Sequence, residues 1–256
     1  MTEALLKVSG VSKSFGGLKA LQDVSFEVHD GELVALIGPN GAGKSTLLNI
    51  INGFHRPSAG LVVLDGRDLS RASVHEVALA GVGRTFQKIR LFKGLTALEN
   101  VHMAVRTSVG GMDVLFRTKR FVDAERDAIQ RARQLLDLVG LINRAEDKAG
   151  SLPYGQQRLI EIARALAATS RLLLLDEPGA GMNDQEIDSL RMLITRIRRE
   201  FGVSILLVEH NVDFVLQLSD RIVVLDHGII IANGTPSEVI ENPRVIEAYL
   251  GRQRHG

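Results

Sequence analysis

Residues 38–46 read Gly38-Pro39-Asn40-Gly41-Ala42-Gly43-Lys44-Ser45-Thr46, which is the spacing G-x-x-x-x-G-K-[ST]. Glycines spaced this way let the backbone curl until several N–H groups converge on one anion. A helix starting directly behind them adds partial positive charge. Lys44 would hold β- and γ-phosphates as a point charge, and the Ser45 hydroxyl would ligate Mg²⁺. Alone, such a loop means nucleotide binding and no more. A second constellation, Leu172-Leu173-Leu174-Leu175-Asp176-Glu177, ends an apolar run in two acids. Asp176 is placed to act on Mg²⁺ directly or through water. Glu177 is the candidate general base that polarises an attacking water.

Both constellations need a buried strand in front of them, and the sequence supplies it. Leu33 to Ile37 is an unbroken apolar run, as a parallel strand covered on both faces requires. Ser45 to Ile51 then reads as helix. Upstream, residues 5–37 read as strands, with Val24, Phe26 and Val28 alternating with polar residues. Leu61 to Leu64 reads as a strand before a turn at Asp65-Gly66. From about 95 to 168 strand-like runs disappear. Phe121, Ala124, Ala128, Ala132, Leu135 and Val139 recur every three or four residues, and Gly140 follows as a C-cap. This predicts a helical insertion, with a loop at Gly110-Gly111. Strands at 172–175, 204–208 and 222–225 then alternate with helices at 184–200 and 212–218, so the sheet is predicted to be mainly parallel. The tail, about 236–256, reads over Pro236 to Leu250 as short helices broken at Pro243.

Bulk properties remove other classes. With 256 residues, 45% apolar and 24% charged, the chain suits one α/β domain with a sizeable core. A net charge of +1 with scattered basic residues argues against a dedicated nucleic-acid binder. The basic stretch Arg117 to Arg133 is interleaved with Asp123, Glu125 and Asp127 and reads as a solvated helix face. No cysteine is present, so thiolate chemistry and Cys-ligated metals are excluded. His75-Glu76 opens like a zinc-protease motif, but Leu79 stands where the second histidine belongs. No signal pattern and no apolar run near the ~18 residues of a membrane span are found. Action at a membrane would therefore need another chain to cross it.

Taken in order, the motifs resemble those of ABC-transporter nucleotide-binding subunits: phosphate loop, glutamine in a loop, signature, Asp-Glu, histidine. The resemblance covers essentially the whole chain. It implies one P-loop ATPase domain over 1–256, with an antiparallel N-terminal β-subdomain and a helical subdomain at about 88–165. It also implies ATP and Mg²⁺. Gln87 corresponds to the family glutamine that senses Mg²⁺ and water. His210, in Leu206-Leu207-Val208-Glu209-His210, corresponds to the switch histidine that contacts the γ-phosphate. Phe15 aligns with the aromatic that stacks on adenine. Leu152-Pro153-Tyr154-Gly155-Gln156 resembles the signature that caps ATP on an opposed subunit, followed by a helix over 158–168.

Three departures stand out. The usual serine is Pro153 and the first signature glycine is Tyr154, which implies either a weaker cap or one of two unequal sites. The acid usual in the loop after Asp-Glu is Asn183, whose amide can bond but carries no charge. The variants Arg84-Thr85-Phe86-Gln87, Arg90-Leu91-Phe92, Leu152 to Gln157 and Asn242-Pro243 through Gly251 bring the chain nearest to importers of branched-chain and other hydrophobic amino acids. Amide or urea importers and lipopolysaccharide exporters share part of this set. Implied partners are integral-membrane permeases, a sister ATPase or a second copy, and a periplasmic receptor indirectly, with the chain peripheral on the inner face of the cell membrane. Leu91 and Phe92 are expected to line the groove that receives a permease helix. A non-transport ABC ATPase and a nucleotide-gated binding module are the competing classes.

Overall fold

The computed structural model describes residues 4–105, 118–169 and 171–250. Gly110-Gly111 and Gly251 lie outside them. The apolar runs do become the buried strands. β3 (Leu33–Ile37), β7 (Leu172–Asp176) and β8 (Ser204–Val208) are buried at every position. They join β6 (Val82–Arg84), β9 (Arg221–Asp226) and β10 (Ile229–Gly234) in a six-stranded sheet ordered β10-β9-β3-β8-β7-β6. All neighbours pair in parallel except β10, which closes the edge antiparallel to β9.

An unbroken apolar strand is needed because each one faces two cores. Leu173, Leu175, Ile205 and Leu207 face the helical side, whereas Leu172, Leu174, Leu206 and Val208 face the other. Fully burying such a side chain contributes about 1.5–3 kcal/mol, so neither face tolerates polarity. That second core lies against an antiparallel sheet ordered β2-β1-β4-β5. Its strands are β1 (Ala4–Phe15), β2 (Leu18–His29), β4 (Ala59–Leu64) and β5 (Arg67–Asp68). Val24, Phe26 and Val28 point into it, as their alternation predicts.

Helix α1 (Lys44–Ile51) follows the glycine loop, and α2 (Val74–Leu79) starts at a capping box of Ser73 and Glu76. The helical region holds α3 (Ala97–His102), α4 (Lys119–Leu138) and α5 (Tyr154–Ala168). Ala128, Ala132 and Leu135 of α4 are buried, and Gly140 beyond it adopts φ +74°. The signature helix was expected from Arg158 but begins at Tyr154. Pro153, extended and lacking an N–H, forms the cap, and Gln157 N–H bonds back to its carbonyl. Helices α6 (Asp184–Phe201) and α7 (Val212–Leu218) flank β8. The tail is two short helices divided at Pro243, as expected: α8 (Pro236–Ile240), then α9 (Pro243–Leu250), which Pro243 opens. Among the described residues, no helix is long and apolar enough to cross a membrane.

Candidate functional site

Adjacent parallel strands deliver the predicted residues to one edge. β3 runs into the glycine loop, β7 ends at Asp176-Glu177, β8 leads to His210, and β6 leads to Gln87. Ligands of open α/β sheets bind outside these carboxyl ends. The loop's glycines are required by its surroundings. Gly38 sits at φ +149°, where a Cβ would overlap the Leu225 carbonyl oxygen. Gly43 sits at φ +107°, where a Cβ would lie 2.7 Å from the Ala20 carbonyl oxygen. The loop is thus wedged between β2 and β9, and Lys44, 7% exposed, donates to the carbonyls of Gly38 (2.6 Å) and Pro39 (3.0 Å).

A cavity of about 410 Å³ collects Phe15, Asn40 to Thr46, Gln87 and Glu177. Phe15 is 43% exposed rather than a core residue, and meets His55 edge to face. His227 also lines this cavity; no motif announced it. Gln87 Nε2 donates to Glu177 Oε2 at 2.8 Å, so the loop glutamine holds the candidate base directly. Glu177 takes a positive φ of 48° just past β7. A second cavity, about 320 Å³, shares Ser45 and Gln87 and adds Asp176 and Arg84.

Sequence reasoning named Arg84 without a role. It is nearly buried, donating to Asp176 Oδ2 at 3.0 Å and to Asn49 Oδ1 at 2.8 Å. Burial pulls its guanidinium value down, and the Asp176 hydrogen bond pushes it back up. Glu209 was also unassigned. Its buried carboxylate accepts from Gly179 N–H (2.9 Å) and His210 N–H (3.1 Å), tying the loop after Asp-Glu to the histidine. His210 itself has a 63% exposed side chain and lines neither cavity.

Of the signature residues, Tyr154, Gly155 and Gln156 form the first turn of α5, and none of residues 152–156 lines the two cavities around the phosphate loop. Gly155 and Gln156 line a different groove with Met182 and Asn183. Leu152 is buried, Pro153 and Tyr154 are exposed, and no side chain caps this helix. Asn183 Oδ1 accepts Glu186 N–H at 3.0 Å, so its amide oxygen is engaged in capping α6. Phe92, 54% exposed, lines a groove with Val74, Ala78 and Arg164. Leu91 does not. It turns inward onto the helical core, where burial outweighs exposure, so the expected pair reduces to Phe92.

The ABC transporter family model matches residues 21–180, and the branched-chain amino acid ATP-binding cassette transporter model matches 230–255. The chain is 44% identical over 253 residues to the high-affinity branched-chain amino acid transport ATP-binding protein BraF of Pseudomonas aeruginosa, covering 98% of this chain and 99% of that one. The chain belongs to the ABC transporter family, among its branched-chain amino acid ATP-binding cassettes. The cassette is also 42% identical to LivG of Escherichia coli K12 over 255 residues, 98% of this chain and 99% of LivG. The ADP conformation of MJ1267, an ABC-transporter cassette, superposes with a TM-score of 0.85 at 33% identity, covering 98% of this chain and all of that one. Dimeric MJ0796, bound to ADP and phosphate, superposes at 0.75 with 28% identity over 90% of this chain and 98% of that one. The cassette is therefore a transport ATPase with an α/β fold, as its motif order implied.

Proposed function

We propose that this cassette hydrolyses ATP to drive import of branched-chain or other hydrophobic amino acids through permeases that it does not contain. The observation that carries the chemistry is the cavity that unites Phe15, the phosphate loop, Gln87 and Glu177, with Gln87 bonded to Glu177. Gly38 to Thr46 hold the phosphates through backbone N–H groups and Lys44, and Phe15 stacks on adenine. Ser45, Asp176 and Gln87 are the hard oxygen donors suited to Mg²⁺, and Ser45, Gln87 and Asp176 line one cavity. When bound, Mg²⁺ neutralises charge on the phosphates. Glu177 takes the proton of the attacking water, Gln87 fixes the carboxylate that does so, and His210 is assigned the γ-phosphate contact.

The segment 152–156 is assigned to the opposed subunit's ATP. Its uncapped helix start offers N–H groups to an anion that this chain's own loop does not hold. That subunit is a sister ATPase in our reading. In this reading the groove edged by Phe92 receives a permease helix, and the cassette works at the cytoplasmic face of the membrane. The substrate assignment rests on the relatives' names and on the tail.

The test is gentle detergent extraction of the Glu177→Gln cassette with ATP. Turnover should fall by about 10²–10⁴-fold, the usual worth of a general base, while ATP binding persists. Two permeases and a sister ATPase should co-purify. A complex without any membrane protein would sink the transport reading and leave the ATPase chemistry standing.

A further inference from the structure

Arg158 and Glu161, one turn apart on α5, are the least exposed ion pair among the described residues, at 0% and 1%. Removing two charges from water is costly, so such a pair persists where strong hydrogen bonds offset the loss; both terminal nitrogens of Arg158 make them, while its buried Nε has no partner. Arg158 Nη1 donates to Glu161 Oε2 at 2.9 Å and to the Phe86 carbonyl at 2.6 Å. Nη2 donates to the carbonyls of Gln87 (2.9 Å) and Glu177 (3.4 Å). The other Glu161 oxygen accepts Arg90 N–H at 3.2 Å. Burial pushes the Glu161 carboxyl up, and the neighbouring Arg158 pulls it back down. One pair thus grips the backbone at residues 86, 87, 90 and 177.

The grip closes a ring. Gln87 is bonded to Glu177 through side chains, and both are bonded through backbone carbonyls to the same guanidinium. Four residues before Arg158, on the same helix face, stands Tyr154, in the exposed first turn that carries the signature. A planar guanidinium with forked donors can span three carbonyls at once; a lysine ammonium cannot.

We propose that Arg158 is a positioning residue that locks Gln87 and Glu177 to the signature helix, so that engagement of this helix by an opposed subunit's nucleotide sets the geometry of the chain's own hydrolytic centre. The proposal rests on the assignment of Glu177 as base and of 152–156 as the cap. It adds a physical link between a surface that faces another molecule and the reacting groups of this one.

Three variants of the full-length chain test it. Glu177→Gln checks the underlying assignment. If its turnover is unchanged, that assignment fails, independently of Arg158. Arg158→Lys keeps a cation beside Glu161 but loses the fork. The double variant Arg158→Met/Glu161→Met removes both charges with little change in volume, which preserves folding better than either single removal. Both are expected to keep ATP affinity while kcat per folded molecule falls about tenfold, since small misplacement of reacting groups is costly; the backbone groups left unbonded should also lower the melting temperature. Hydrogen exchange at residues 86–92 should rise in both. A purely structural role would lower stability but leave kcat per folded molecule unchanged. Wild-type kcat in folded Arg158→Lys overturns the proposal, and this variant decides alone if the double variant does not fold.

Discussion

The phosphate loop and the signature segment, each leading into the first turn of a helix that we propose faces a nucleotide, are built in opposite ways. The loop is held from within: Gly38 and Gly43 have no room for a side chain, and Lys44 is almost buried. The signature turn is held only from behind. Pro153 starts it without a side-chain cap, Tyr154 is half exposed, and the buried grip comes a turn later at Arg158. A binding site that its own chain completes can be rigid everywhere. A site completed by a second molecule must be rigid only where it connects to the rest.

Four changes would break or sharpen that contrast. The largest effect is expected from Gly38→Ala, where overlap with Leu225 and the left-handed backbone should cost ATP affinity about 10- to 100-fold, from strain of about 1–3 kcal/mol. A nucleotide titration checks this. Unchanged affinity would mean that the loop is less rigid than its packing indicates.

Next is Pro153→Ser. It should restore one hydroxyl hydrogen bond to an opposed phosphate and tighten ATP-dependent association of the Glu177→Gln chain with its opposed cassette by about 2- to 10-fold, the usual worth of about 0.5–1.5 kcal/mol. Sedimentation with ATP reads it, and the chain's own ATP affinity should not move.

Phe15→Ala comes third. Losing the stack should weaken ATP binding by about 2- to 10-fold at most, with little loss of stability because Phe15 is largely exposed.

Smallest is Glu32→Gln. Glu32 lies just ahead of β3, and Arg221 donates to both its oxygens, at 2.8 and 3.0 Å. Burial raises its pKa, but the Arg221 hydrogen bonds outweigh this and hold the carboxyl below its usual 4.5. A depressed folded value stabilises above the unfolded value and is lost as pH falls through the folded one. The variant should melt a few degrees lower at pH 7. The gap should close below pH 4.5. A gap that persists in acid would show that packing, not charge, carries the effect.

Much of this was legible beforehand because the chemistry depends on contiguous letters. The phosphate loop, the Asp176-Glu177 strand end and the buried runs each announce themselves within a few residues. β6 did not, since Val82–Arg84 is too short to show a period, and β10 was hidden because Ile229 to Ile231 sits half exposed at an edge. Arg158, Glu161 and Glu209 were unreadable for another reason. Each is an ordinary charged letter in a helix or at a strand end, and its meaning lies in backbone atoms 19 to 72 residues away. Leu91 was misplaced because a turn of one residue decides which of two adjacent apolar side chains faces out.

The strand order has a consequence for how the molecule is made. β3, which leads into the phosphate loop, pairs only with β8 and β9, residues 204–226. On a ribosome moving at about 5–20 residues per second, roughly 10–30 s separates the emergence of β3 from that of its partners. Throughout that interval, five consecutive apolar residues have no sheet to join. The part of the cassette that defines it in sequence is thus among the last to acquire its shape during synthesis, and a chain cut short before residue 204 carries the nucleotide motif without the means to fold it.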